Sequence, residues 1–263
     1  MAVPVWAFLV EPRRLVVRRV KVGSPSWPAD HPPLRVALIS DLHAGGPHVD
    51  TRAVERLVER VNREGPAVVL LLGDFVDNEV VAGDEMAPET VARALAKLRA
   101  PLGTLAVLGN HDWRVGGECV AAALAGAGIR VLENEATALG TPAGRVWIAG
   151  VADARMRRAD VGQALSEVPD GEPVILLTHD PDVFTGVPER VALTVAGHLH
   201  GGQVGIPLVR RALLPSAHGE RYVRGHVEEG GRHLYVTQGV GEAGLPLRFL
   251  APPEIVVVEL RSA

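Results

Sequence analysis

The chain has 263 residues, 47% of them apolar, 22% charged and 4% aromatic, with a formal net charge of −4. That length is enough for one α/β domain whose core is built from aliphatic rather than aromatic side chains. The acidic balance argues against broad electrostatic binding of nucleic acid. A single cysteine, Cys119, excludes an internal disulfide framework and a thiolate-rich metal site.

The N-terminal apolar stretch is interrupted by Pro4 and ended by Glu11, too short for a bilayer span of roughly 20 apolar residues. Arg13 and Arg14 follow it rather than precede it, the wrong order for a twin-arginine export signal. A cytoplasmic location is the expectation, with Trp6, Phe8 and Leu9 available for peripheral contact with a membrane surface. LVVRRVKV (15–22) mixes apolar and basic residues as an edge strand does, and the Pro-rich SPSWPADHPP leads from it to RVALIS (35–40). Residues 1–33 are expected to form an extension and edge strand packed on a domain over 34–263.

Strand and helix patterns then alternate. Val54, Leu57, Val58 and Val61 recur at helical spacing, with Asp50 or Thr51 as the cap and Gly65-Pro66 as the stop. AVVLLL (67–72) reads as a strand covered on both faces. PETVARALAKLRA (88–100) predicts a helix, TLAVL (104–108) a strand, and ECVAAALAGAG (118–128) a helix burying Cys119. The second half is richer in strands: RVWIAGV, PVILLT, RVALTVA, RHLYVTQGV and EIVVVEL. The pattern implies two sheets packed together with helices outside.

Five of these apolar runs end in side chains that bind metals or move protons. RVALIS leads into Asp41 and His43, AVVLLL into Asp74, and TLAVL into Asn110 and His111. PVILLT leads into His179, and RVALTVA into His198 and His200. Any one of these is unremarkable, since Asp and Asn are common turn residues and an isolated His is commonly a core residue. Turn formation does not, however, require histidine at four strand ends. Ligands of open α/β sheets sit beyond the carboxyl ends of strands, so a shared metal site is the expectation. In an extended segment residues two apart share a face, which would bring His198 and His200 into one pocket. Carboxylate, imidazole and amide donors without sulfur suit Mn, Fe or Zn. There are enough donors for two divalent ions bridged by a carboxylate, about 3.5–4 Å apart.

DLH, GDFVDN, GNHD, His179 and GHLH, in that order over residues 35–203, resemble the calcineurin-like metallophosphoesterases. The flanking SDLHAG, HDPDVF, GHLHGGQV, GLPLRF and PPEI are similar to a bacterial branch of YkuE- or YaeI-like phosphoesterases. The resemblance implies a four-layer αββα sandwich of two mixed β-sheets flanked by helices. It implies that Asp41, His43, Asp74 and His200 hold one metal ion and Asp74, Asn110, His179 and His198 the other, with Asp74 bridging. It casts His111 as the group near the leaving oxygen and Asp77 as the acid that orients it. The implied activity is hydrolysis of a phosphodiester, or of a phosphomonoester, in a small substrate that is free or lipid-linked. A nuclease and a non-catalytic scaffold are the alternatives. GDFVDN and GNHD depart from the GDxxDRG and GNHE of protein Ser/Thr phosphatases.

Other residues have two readings. His48 is a helix-start residue or a substrate contact. Arg248 is a surface ion-pair partner or a phosphate ligand. Trp113 is a pocket wall or simple packing, and Gln203 is left outside the site.

Overall fold

In a computed structural model, which describes residues 3–77, 79, 81 and 83–263, with only the backbone of Leu213, the apolar runs assemble into two six-stranded sheets. The first has the order β1 (Val16–Ser24), β12 (Glu254–Ser262), β2 (Leu34–Ile39), β3 (Val68–Leu71), β4 (Thr104–Ala106) and β5 (Arg130–Val131). Strands β2 to β5 are mutually parallel, and β12 enters antiparallel to β2. The second sheet has the order β10 (Gly225–Glu229), β11 (Arg232–Val236), β9 (Leu193–Ala196), β8 (Val174–Leu177), β7 (Gly144–Gly150) and β6 (Glu135–Thr141). Its inner pairs β11–β9, β9–β8 and β8–β7 are parallel, while both edge strands run antiparallel. Both sheets are therefore mixed, as expected.

The chain opens on a helical turn, α1 (Val3–Val5), which continues through further turns to Arg13. Three helices cover the outer face of the first sheet: α2 (Thr51–Glu64), α3 (Pro88–Leu95) and α4 (Asn110–Gly126). The Asp50 side chain caps α2 by accepting from Ala53 N at 2.7 Å, an interaction generally worth about 1 kcal/mol. Gly65 ends the helix in a left-handed conformation, φ 59°. Val54, Leu57, Val58 and Val61 pack onto Ile39, Val69 and Leu71. Between the sheets lie Val36, Leu38, Leu70, Val107, Ile148, Ile175 and Val195, all buried. The outer face of the second sheet is covered more thinly, by α5 (Val161–Ala164) and tight helical turns at 181–186 and 219–222. One further short helix, α6 (Pro207–Leu213), stands beside the loop after β9. Among the described residues no helix is long and apolar enough to cross a membrane.

Several boundaries differ from the sequence pattern. The predicted helix over 118–128 begins at Asn110 instead, so GNHD forms its first turn, with a kink at Gly116, φ 133°. Cys119 lies on the exposed side of that helix rather than in the core. The helix at Pro88 stops at Leu95, short of 100. Strands β5, β6 and β10 were not predicted. Each is at a sheet edge, where one face meets solvent, so no continuous apolar run marks it. The predicted edge strand near 15–22 is β1, which pairs only with β12.

Candidate metal centre

The parallel strands of both sheets point their carboxyl ends at one cleft, and every predicted site residue stands there. Asp41 and His43 follow β2, Asp74 and Asp77 follow β3, and Asn110 and His111 start α4 beyond β4. His179 follows β8, and His198 and His200 follow β9. Asp41, His43, Asp74, His198 and His200 have left-handed backbones, with φ of 52°, 42°, 55°, 70° and 50°. Such conformations generally cost of order 1–3 kcal/mol each and persist only where the surroundings over-determine them. Here Asp41 N donates to Gly73 O at 2.9 Å and His43 N to Asp74 O at 3.0 Å. His198 N donates to the Asp41 carboxylate at 3.0 Å.

These backbones correct the expectation that His198 and His200 converge because they lie two apart on an extended segment. The strand ends at Ala196, and Leu199 between the two histidines is helical, φ −87°, ψ −4°. The rings meet across a tight turn instead. Close approach also explains Gly109: a Cβ there would sit 2.7 Å from the His179 ring and clash with the Asp74 carboxylate.

Two groups of donors result. Asp41, His43 and His200 form one; Asp74, His179 and His198 form the other. Asp74 also lies with His43 and His111 in a third overlapping group, so it is common to both sides of the cleft. Asp77 is shared in the same way, its Oδ2 lying 2.8 Å from His43 Nδ1 and its Oδ1 3.2 Å from His111 Nδ1.

The hydrogen bonds assign the tautomers of two rings. Nδ1 donates to Asp77 in His43 and to the Leu72 carbonyl (2.7 Å) in His179, whereas His200 Nδ1 stands between the Gly241 carbonyl (3.2 Å) and the Arg248 guanidinium (3.3 Å). A neutral ring protonated at Nδ1 presents a bare lone pair at Nε2. His43 Nε2 and His200 Nε2 face each other at 3.1 Å, while His179 Nε2 lies 3.1 Å from both Asp74 Oδ2 and His198 Nδ1. Facing lone pairs repel unless a proton or a cation lies between them. Asn110 Oδ1 and His198 Nε2 are buried without any hydrogen-bond partner, which is costly in a group that binds nothing. The donor set fits divalent cations, with N and O ligands and second hydrogen bonds orienting each imidazole.

Electrostatics agree. Burial works to raise the Asp74 carboxyl, but His179, His43 and His111 around it outweigh that and hold it well below the usual carboxylate range. Burial works to lower His179, yet the Asp74 charge and hydrogen bond push its pKa up to about 10. His198 and His200 are pushed well down, by burial first and by neighbouring histidines second. His198 and His200 are therefore neutral at pH 7, whereas His179 holds a proton where a cation would bind. Metal uptake at neutral pH is expected to expel that proton, so affinity should rise with pH from neutrality toward about 10. Calorimetry in two buffers of different ionisation enthalpy reads the release directly, and identical heats in both would contradict it.

Several supporting residues escaped the sequence pattern. Asp112 is fully buried and accepts from Gly109 N (2.9 Å), Asp74 N (2.8 Å) and Phe75 N (2.8 Å), bracing two ligand loops together. Burial, aided by the Asp74 charge, pushes its pKa up to about 7. Arg248 is not on the surface, and it is not positioned on the cleft. It is wholly buried behind His200 and donates to the carbonyls of Gly241, Gln238 and Ala251. His48 precedes α2 and faces the buried Glu242 at 3.4 Å, so it neither starts the helix nor lines the cleft. Trp113 packs against Gly117 and under Arg157, 4.4 Å away, apart from the candidate metal donors. Asn78 of the GDFVDN stretch lies outside the described residues.

Above the candidate donors opens a cavity of about 390 Å³. Its floor includes Asp74, Asn110, His111, His198 and His200, and Arg114 and Arg155 line it as well. Leu199, Leu214, Pro215, Ala243 and Leu245 supply an apolar side. Arg155 follows β7 and is held by Asp180 Oδ2 at 3.1 Å and by the Pro215 carbonyl. Gln203, left outside the predicted site, lines the cavity and ties down its rim by donating to the Ala243 and Leu245 carbonyls.

Compared with known proteins, residues 34–227 match the family model described as calcineurin-like phosphoesterase. The chain is 31% identical over 260 residues to the uncharacterised metallophosphoesterase YkuE of Bacillus subtilis, covering 98% of this chain and 89% of that one. It is 33% identical over 239 residues to an uncharacterised metallophosphoesterase of Aquifex aeolicus, covering 87% and 85%. Over 232 residues it is 32% identical to the phosphodiesterase YaeI of Escherichia coli, covering 87% and 82%.

Proposed function

The chain belongs to the calcineurin-like phosphoesterase family, and on that premise we propose that it hydrolyses phosphodiesters at two divalent metal ions. Asp41, His43, Asp74 and His200 would hold one ion and Asp74, Asn110, His179 and His198 the other. The observation that carries this reading is the membership of Asp74 in overlapping donor groups on both sides of the cleft. Mn, Fe and Zn suit a set of carboxylate, imidazole and amide donors without sulfur. When bound, two such ions neutralise phosphate charge and acidify the attacking water.

The chain's own residues supply the rest. Asp77 Oδ1 stands 3.2 Å from His111 Nδ1 and leaves Nε2 as the nitrogen able to give a proton to the leaving oxygen. The same carboxylate fixes the His43 ring, so proton donor and metal ligand are oriented together. Arg155 and Arg114 bring guanidinium groups to the cavity that receives the phosphate oxygens.

The diester preference rests on the apolar side of the cavity, which gives a second ester substituent a dry surface to cover. The name of the YaeI relative, a phosphodiesterase, supports it. The test is hydrolysis of bis(p-nitrophenyl) phosphate against p-nitrophenyl phosphate, metal by metal. The diester should show the higher kcat/KM with at least one of Mn, Fe or Zn. Strong monoesterase activity with negligible diesterase activity would overturn the preference.

A further inference from the structure

The exposed large apolar side chains are not scattered over the surface. Eleven stand out among the described residues, and nine of them come from three short segments. Val3, Val5, Phe8 and Leu9 belong to the N-terminal turns. Ile206, Leu208 and Val209 belong to the start of α6, and Leu245 and Leu250 to the loop before β12. Backbone hydrogen bonds draw these segments together. Arg248 N donates to Ala7 O at 2.9 Å, Ala251 N to Glu11 Oε1 at 2.7 Å, and Gly205 N to Phe249 O at 2.6 Å. Leu245 belongs at once to this face and to the mouth of the metal cavity.

The segments that build this face carry basic rather than acidic side chains. No acidic residue occurs in 203–219 or 244–253, and the only one in 3–18 is Glu11, which is buried. Arg13, Arg14 and Arg211 are exposed there. A chain of formal charge −4 thus presents one apolar face flanked by exposed arginines, with Glu220 paired to Arg210 at its border and Asp182 turned to Ser216 and Ala217. Leu208 is 85% exposed, a poor placement for a large aliphatic side chain that meets only water. Arginine stems lie along apolar surface while their heads reach anionic groups. Of the residues expected at a membrane from the sequence, Phe8 and Leu9 are free, whereas Trp6 is tied to Glu11.

We propose that this face docks on an anionic lipid bilayer, with Phe8, Leu9, Leu208 and Leu250 entering the headgroup boundary and the arginines meeting lipid phosphates. Apolar insertion and basic attraction act together in such contacts. Docking in this orientation brings the cavity mouth to the bilayer surface.

Flotation of the full chain with vesicles of phosphatidylglycerol and phosphatidylcholine, against phosphatidylcholine alone, tests it. The protein should float with the anionic vesicles and detach as salt rises. Phe8→Glu with Leu208→Glu should lower partitioning about tenfold or more. Arg211→Glu should lower it about fivefold or more. Hydrolysis of a soluble ester should be unchanged in all three proteins, which shows that they fold. Absence of flotation, or flotation indifferent to these substitutions, would overturn the proposal. Self-association abolished by Leu208→Glu, without flotation, would assign the face to a second copy of the chain instead. A protein that floats as expected yet cleaves no phosphoester would refute the hydrolase reading alone.

Discussion

Replacing His111 with asparagine is expected to lower turnover by roughly 10²–10⁴-fold, the usual contribution of a general acid, while metal content stays at the wild-type level. The backbone of residue 111 is structural, because its N–H donates to Asp74 Oδ1 at 2.8 Å, and asparagine keeps that bond. The imidazole is different, being held by Asp77 and lining the cavity above the ligands. Loss of the ring should remove the proton donor and little else. His111 also lies within a donor group with His43 and Asp74, which supplies the competing outcome. If the variant loses metal and keeps its activity per bound ion, His111 is a ligand and the assignment to the leaving group is wrong. Metal analysis and turnover on the same preparation separate the two.

A larger effect on metal binding is expected from Asp74→Asn. Asparagine tolerates the left-handed backbone at this position, φ 55°, so the loop should persist. What disappears is the charge that raises His179 and stands 3.1 Å from its Nε2. Both ions should bind more weakly, by more than the roughly 10–100-fold that a lost outer-shell partner costs. His198→Ala and His200→Ala should each impair one ion and spare the other, since their donor groups differ. Elemental analysis across the three variants reads the pattern. Retention of both ions in Asp74→Asn would remove Asp74 from the shared position.

Much of the site is legible because its residues sit where apolar runs stop. A buried strand must expose its chain at its end, so Asp41, Asp74, Asn110, His179 and His198 stand out against the aliphatic stretches before them. Arg155 follows the same rule after β7 but is set five residues beyond Gly150, too far for the strand end to flag it. Asp112 carries no signal in the sequence beyond its place in GNHD. Its role depends on the amides of Gly109, Asp74 and Phe75, two of which lie nearly forty residues away. Arg248 was misplaced for a related reason. A guanidinium is ordinarily exposed, and the three carbonyls gathered around this one, with the charges of Glu242, Asp41, Glu254 and Glu11, make its burial tolerable.

The two-sheet architecture, the family resemblance and the candidate donor residues of the cleft are all readable from the sequence. Hydrophobic periodicity and polar punctuation are local properties, and the chain carries them wherever it goes. Only the packed chain fixes the left-handed backbones that aim the candidate donors, and the Nδ1 hydrogen bonds of His43 to Asp77 and of His179 to Leu72 O. It also decides the sharing of Asp77 between His43 and His111, and the gathering of three apolar segments beside the cavity mouth. Each of these needs groups far apart in the chain to meet at hydrogen-bond or van der Waals distance. No local pattern encodes such meetings, because the energy that holds them comes from the packed whole.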